Sequence, residues 1–186
     1  MDLDEEEAEF VKSLGLLSYK PIIYVANVAD DEVADHEGNE FVQQVREIAA
    51  GEGAEVVVVC AKVESDLCDM DSEEKNMFLS ELGVNESGID KLIKASYTLL
   101  GLKTFFTAGE DECRAWTFKN GMKAPGCAGI IHTDFERGFI KAEIMSYEDL
   151  KKEGSEKAVK EAGRMRLEGK EYVMQDGDIC YFRFNV

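Results

Sequence analysis

Apolar positions in the first hundred residues follow two rhythms. Residues 21–26 (Pro-Ile-Ile-Tyr-Val-Ala) and 56–59 (four valines) are short continuous apolar runs, the pattern of strands buried on both faces of a parallel sheet. Between them Phe41, Val42, Val45, Ile48 and Ala49 share one helical face, which stops at Gly51 and Gly53. Strand, helix and strand in that order predict a βαβ unit with a right-handed crossover. Residues 27–39 read as loop. Further on, Asp71 and Ser72 predict the cap of a helix carrying Phe78, Leu79 and Leu82. Ile89, Leu92, Ile93, Tyr97 and Leu100 predict another, closed by Gly101. At the start, Leu3, Phe10, Val11 and Leu14 stand among acidic positions, which predicts the last turns of a solvated helix ending at Gly15. So abrupt an opening is what a partial protein would show.

After Gly101 the period changes to two. Residues 114–118 read as a strand, and Asn120-Gly121 is the signal of a type I′ hairpin leading into residues 122–125. A short helix over 127–133, a strand over 139–145 and a helical stretch over 155–167 come next. Two last strands, 172–174 and 179–184, are joined by Asp176-Gly177-Asp178. Two strands, a helix and then more strands predict an α+β domain of the β-grasp kind.

Charge sharpens the division. The formal net charge is −18. Residues 1–102 carry 7 basic and 24 acidic side chains, a net −17, whereas 103–186 carry 14 and 15, a net −1. A step of that size marks a domain boundary. The five cysteines, Cys60, Cys68, Cys113, Cys127 and Cys180, are scattered and never in C-x-x-C spacing, so they outline neither a disulfide framework nor a zinc site. No run reaches the roughly 20 apolar residues of a membrane helix, and the N-terminus lacks a signal-peptide pattern. A cytosolic chain with no membrane partner is expected.

The chemistry concentrates at two strand ends. An Asn closing a buried strand, with an acid three residues on, is how GTPase-like folds read a purine edge, and Asn27-Val28-Ala29-Asp30 sits in that place. Cys60-Ala61-Lys62 ends the second strand, where the same folds carry a loop whose backbone amides touch the base. Asn and Asp are equally turn formers, so a plain turn is the competing reading. Phosphates need a Gly-rich loop with a Lys and a hydroxyl residue, and no G-x-x-x-x-G-K-S/T occurs in these 186 residues. The nearest approach, from Gly163 to Gly169-Lys170-Glu171, has one residue too many and no hydroxyl. Asp35-His36-Glu37-Gly38 fits D-x-x-G but follows the base motif instead of preceding it. His132-Thr133-Asp134 reads as capping and packing, because neighbouring residues rarely face one another as a base and its orienter. His36 reads as solvated, and Trp116 beside Phe118 as core. Lys151, Lys152, Lys157, Lys160 and Arg164 form a basic run interleaved with acids. It is either a solvated helix face or a ribosomal RNA contact.

Longer stretches carry a resemblance. Residues 20–28 (Lys-Pro-Ile-Ile-Tyr-Val-Ala-Asn-Val), 44–50 (Gln-Val-Arg-Glu-Ile-Ala-Ala), 106–109 (Phe-Thr-Ala-Gly), 114–117 (Arg-Ala-Trp-Thr), 131–140 (Ile-His-Thr-Asp-Phe-Glu-Arg-Gly-Phe-Ile) and the segments 176–179 and 184–186 resemble the YchF (EngD) family of Obg-related ribosome-binding ATPases over nearly the whole chain. The resemblance implies an α/β rear portion of a P-loop NTPase domain over residues 19–102. A TGS domain, a β-grasp module, would span 103–186, and residues 1–18 would be the tail of a helical coiled-coil insertion. It implies purine contacts at Asn27, Val28, Asp30, Cys60 and Ala61, with ATP or GTP and Mg²⁺ as ligands of the complete protein and none tightly held by this chain. The family's base motif is N-x-x-E and that of GTPases N-K-x-D; Asn27-Val28-Ala29-Asp30 departs from both. Implied partners are the ribosome or ribosomal RNA and a chain carrying the missing P-loop half. A free-standing, non-enzymatic TGS binding module is the alternative.

Overall fold

The computed structural model describes residues 4–109 and 112–185, so Leu3 and Val186, which the sequence reading uses, lie outside the described residues. The chain divides between Leu99 and Leu100 into two compact units.

In the first unit α1 (Glu5–Ser13) starts at Asp4, whose carboxylate accepts the Glu7 N–H while Glu7 accepts the Asp4 N–H. This reciprocal cap satisfies two orphan donors. Strand β1 (Ile23–Asn27) is followed by two 3₁₀ turns, Asp30–Glu32 and His36–Gly38, and then by α2 (Glu40–Glu52), which crosses to β2 (Glu55–Val59). The two strands pair in parallel, Asn27 opposite Val59, so the expected βαβ unit forms. Asn39 caps α2 by accepting the Phe41 and Val42 N–H groups. Three helices complete the unit: α3 (Ala61–Leu67), α4 (Ser72–Glu81), capped by Asp71 as its sequence predicts, and α5 (Gly88–Leu99). Helix α3 corrects the loop expected at 60–62, since Cys60 ends the strand and caps the helix at once. The core is small: Val28, Val42, Cys60, Val63, Leu67 and Leu79. Burial on both strand faces fails here: Val25 in β1 and Ile22 just before it are each 47% exposed. Among the described residues β1 pairs with β2 alone, and a two-stranded sheet cannot cover its own flanks.

The second unit contains β3 (Leu102–Ala108), β4 (Cys113–Lys119), α6 (Ala124–Ile131), α7 (Thr133–Arg137), β5 (Phe139–Ser146), α8 (Tyr147–Glu153), α9 (Glu156–Glu161), β6 (Arg166–Glu168) and β7 (Asp178–Phe184). Its five-stranded sheet has the order β4-β3-β7-β5-β6. β3 and β7 run parallel and the other pairs antiparallel. Phe105, Phe118, Ala124, Cys127, Ala128, Phe139, Ala142, Ile144, Met174 and Cys180 are buried together. On the other side Val159, Met145 and Ile179 close a smaller cluster with Phe106 and Leu150. The one buried charged side chain among the described residues, Asp178, accepts from Arg166 (3.1 Å), Tyr172 (2.8 Å) and the Gln175 N–H (2.9 Å), so its burial is compensated.

Three expectations are corrected here. Asn120-Gly121 does not open a hairpin, because β4 already pairs with β3. Gly121 turns the chain with φ +86°, and Pro125, suited to a helix start, sends it into α6. The helix expected over 155–167 stops at Glu161, and Arg166–Glu168 leaves it to pair with β5. Residues 172–174 shrink from the expected strand to a single antiparallel bridge, Val173 opposite Lys123: Tyr172 O accepts from the Ala124 N–H and the Met174 N–H donates to Met122 O. These backbone groups brace the entry to α6. Among the described residues no helix is long and apolar enough to cross a membrane.

Candidate functional site

Parallel pairing brings the ends of β1 and β2 to one level, and the side chain of Asn27 spans them. Its Oδ1 accepts the Ala61 N–H at 2.9 Å. That N–H opens α3 and has no acceptor within the helix, so a strand end supplies the missing cap. The ladder runs one residue further, with the Val28 N–H donating to Val59 O at 2.9 Å. Asn27 Nδ2 makes no hydrogen bond among the described residues and is available to an acceptor.

The five sequence-predicted residues come together but are not equivalent. Asn27 and Ala61 are exposed and Asp30 is half-buried, whereas Val28 and Cys60 are 7% and 3% exposed. The last two build the floor and offer a ligand backbone only. Sequence reasoning left out Lys62, although it quoted Cys60-Ala61-Lys62. Lys62 Nζ lies 2.5 Å from Asp30 Oδ2, with both side chains substantially in solvent. Its ammonium holds the Asp30 carboxyl below the usual carboxylate range, and Asp30 in turn raises the Lys62 pKa. The signal for Lys62 was its place three residues past the end of β2, as the second residue of α3.

Two neighbours fix this corner. Glu64 accepts the Gly88 N–H at 2.6 Å, and a Cβ at Gly88 would meet Val59 atoms at 2.8–3.0 Å. Only glycine lets α5 come this close to the end of β2. Glu32 accepts from the Ala29 N–H (3.3 Å) and from Asn39 Nδ2 (2.9 Å), which ties the turn holding Asp30 to the start of α2.

The corner presents Nδ2 of Asn27 as a hydrogen-bond donor and the Asp30 carboxylate as an acceptor. Among the described residues no group of three His, Cys, Asp or Glu could hold a metal. The stretch from Gly163 to Lys170 is occupied by β6. Asp35-His36-Glu37-Gly38 enters the 3₁₀ turn before α2, where Glu37 is engaged by Arg46 at 2.5 Å.

The basic run divides as well. Arg164 binds Asp149 (2.8 Å) and Glu153 (3.6 Å), Lys160 binds Glu156 (2.7 Å) and Lys157 approaches Glu161 (3.9 Å). Lys151 and Lys152, exposed at the end of α8, have no ion pair among the described residues. His132 caps α7, its Nδ1 accepting the Asp134 N–H at 3.2 Å. Trp116 donates to Thr107 Oγ1 at 2.9 Å, stacks on Phe105 and lies under Arg114, a packing position.

A family model described as YchF-GTPase_C, protein of unknown function (DUF933), matches residues 102–185. The "Ribosome-binding ATPase YchF" of Bacillus subtilis is 66% identical over 186 residues, which cover 100% of this chain and 51% of that protein. "Obg-like ATPase 1" of Rattus norvegicus is 42% identical, with 99% of this chain and 46% of that protein covered. The solved structure of the Schizosaccharomyces pombe YchF GTPase superimposes with a TM-score of 0.85 at 36% identity, covering 98% of this chain and 48% of that one. The mixed α/β fold and these matches agree: the chain spans about half the length of the relatives it matches, is similar to the YchF proteins throughout that half, and carries the YchF-GTPase_C match over residues 102–185.

Proposed function

We propose that this chain supplies two parts of a YchF-type, ribosome-binding nucleotide hydrolase: the purine-reading corner and a TGS-type β-grasp interaction domain. The hydrogen bond from Ala61 N–H to Asn27 Oδ1 carries the first part. It locks both strand ends before any ligand arrives and leaves Nδ2 directed by a fixed amide plane. Preorganisation of this kind lowers the ordering cost of binding. Val28 and Cys60 hold the floor, Ala61 offers backbone, and Asp30 accepts from the base while Lys62 balances its charge.

Phosphate and Mg²⁺ chemistry belongs, in this reading, to residues outside these 186, because phosphates bind through a glycine-rich cradle of backbone amides that this sequence lacks. Bound nucleotide would supply the scissile phosphates; this chain's residues bind and orient the base and move no proton. The names of the relatives include both ATPase and GTPase, and Asp30 in place of the family's Glu leaves the base preference to experiment. Adenosine and guanosine titrations followed through the Asn27 side-chain amide resonances decide it. A shift with either nucleoside supports the corner, and no shift with both overturns it.

Support for the β-grasp reading comes from the β3–β4 hairpin followed by helices α6 and α7 and then by β5, β6 and β7, with α8 and α9 between β5 and β6, and with β7 inserted parallel to β3. The second unit is then the ribosome-facing part, a role taken from the relatives' names. Lys151 and Lys152 are its most available cations, followed by Lys157, Lys160 and Arg164. Co-sedimentation with ribosomes at several salt concentrations tests it: Lys157→Glu with Lys160→Glu should weaken binding and flatten its salt dependence, and an unchanged profile discards the contact.

A further inference from the structure

The turn that carries Asp30 is held on both sides, and the far side hangs on one carboxylate. On the strand side the Val28 N–H continues the ladder to Val59 O at 2.9 Å, and Val28 is buried. On the far side Glu32, itself half-buried, accepts the Ala29 N–H on Oε2 (3.3 Å) and Asn39 Nδ2 on Oε1 (2.9 Å). Asn39 cannot turn its amide over, because its Oδ1 takes the Phe41 and Val42 N–H groups at the head of α2 (2.9 and 3.1 Å). Glu32 is therefore flanked by two donors, and only a side chain with two acceptor oxygens satisfies both. Lys62 cannot replace this tie: its pair with Asp30 is exposed on both sides, and exposed ion pairs contribute little.

We propose that Glu32 is a positioning residue of the corner: by holding Ala29 against the head of α2 it sets where the Asp30 carboxylate stands relative to Asn27 Nδ2. The inference rests on the reading of the corner as a purine site, and it adds to that reading a connection from the ligand-facing acid to α2. Glu32 touches no ligand in this account; it acts through the backbone on which Asp30 is mounted. A donor and an acceptor recognise one ligand edge only at a fixed separation, since hydrogen bonds weaken steeply as their geometry departs from linear. Loosening the turn therefore costs recognition without removing any recognising group, because the ordering cost moves to the moment of binding.

Reversing the polarity of one hydrogen bond separates this role from direct contact. Glu32→Gln leaves one of the two donors facing an amide NH2. Glu32→Gln with Asn39→Asp restores both contacts: the new glutamine donates to the new aspartate, which still accepts from Phe41 and Val42, since Asp caps helices as well as Asn. In the chain without ligand, NMR order parameters of residues 29–31 should fall from the rigid value of about 0.85 to below about 0.6 in the single variant and return in the double one. Affinity for adenosine or guanosine, whichever shifts the Asn27 amide, should fall about tenfold or more in the single variant and recover in the double one. Hydrogen exchange of the Ala61 amide should stay unchanged in both, which shows the strand-end cap intact. Unchanged order in Glu32→Gln, a double variant as loose as the single one, affinity that ignores a loosened turn, or faster Ala61 exchange would each overturn the role of Glu32. If neither nucleoside shifts the unaltered chain, the purine reading falls instead, and the order measurement decides on Glu32 by itself.

Discussion

The two units spend similar lengths of chain very differently. In the second, Phe105, Ile144, Met174 and Val159 are wholly buried, and the five strands and their helices shield one another. The first has two strands, a core of mostly half-sized side chains, and Phe41 at 76%, Leu17 at 82% and Ile48 at 57% exposed. Apolar burial is worth about 25 cal/mol per Å², so the second unit can hold itself together, while the first leaves much of that stabilisation unrealised. The difference teaches that the corner at the ends of β1 and β2 depends on local hydrogen bonds more than on a core.

Limited proteolysis probes this contrast with an all-or-none outcome: residues 1–99 should be cut first, leaving a resistant fragment close to 100–185. Equal resistance of both units would break the comparison. Next in size is Phe105→Ala, which should cost the second unit about 3–5 kcal/mol. Trp116 is the sole tryptophan, so its fluorescence during urea unfolding follows that unit.

Legibility in the sequence tracked the same contrast. Period and caps located β1, α2, β2, α4 and α5, through local signals such as Asp71 before α4 or Gly53 after α2. In the second unit β3, β6 and α8 went unread. Leu102–Ala108 mixes polar and apolar positions without clean alternation, since β3 is central and flanked on both faces. Arg166–Glu168 is too short to show any period. Asn120-Gly121 carried a strong local signal that the pairing of β3 with β4 overrode. At the candidate site Asn27, Asp30 and Ala61 were readable from their place at strand ends. Burial of Val28 and Cys60 was not, because it depends on helices α3 and α4 packing over them. The Lys62–Asp30 pair was hidden too, for it joins turns 32 residues apart in sequence.

Smaller changes sharpen the account of the corner. Asn27→Ala removes the cap of α3 and should cost about 1 kcal/mol, seen most directly as faster hydrogen exchange of the Ala61 amide. Lys62→Met should barely move stability, since the pair is exposed, but it should raise the Asp30 pKa in a carboxyl NMR titration. The sign follows from the lowered Asp30 pKa. The small stabilisation is present above the unfolded carboxylate range and is lost as pH falls through the lower folded value. Lys62→Met should reduce that acid dependence, leaving the part that comes from the backbone hydrogen bonds to Asp30.

Calorimetric titration of the chain with adenosine, guanosine, ATP and GTP, with and without Mg²⁺, tests the central claim most directly. A base-reading corner without a phosphate cradle predicts that each nucleoside binds about as well as its triphosphate and that Mg²⁺ changes nothing. Tight, Mg²⁺-dependent binding of ATP or GTP to these 186 residues would contradict it.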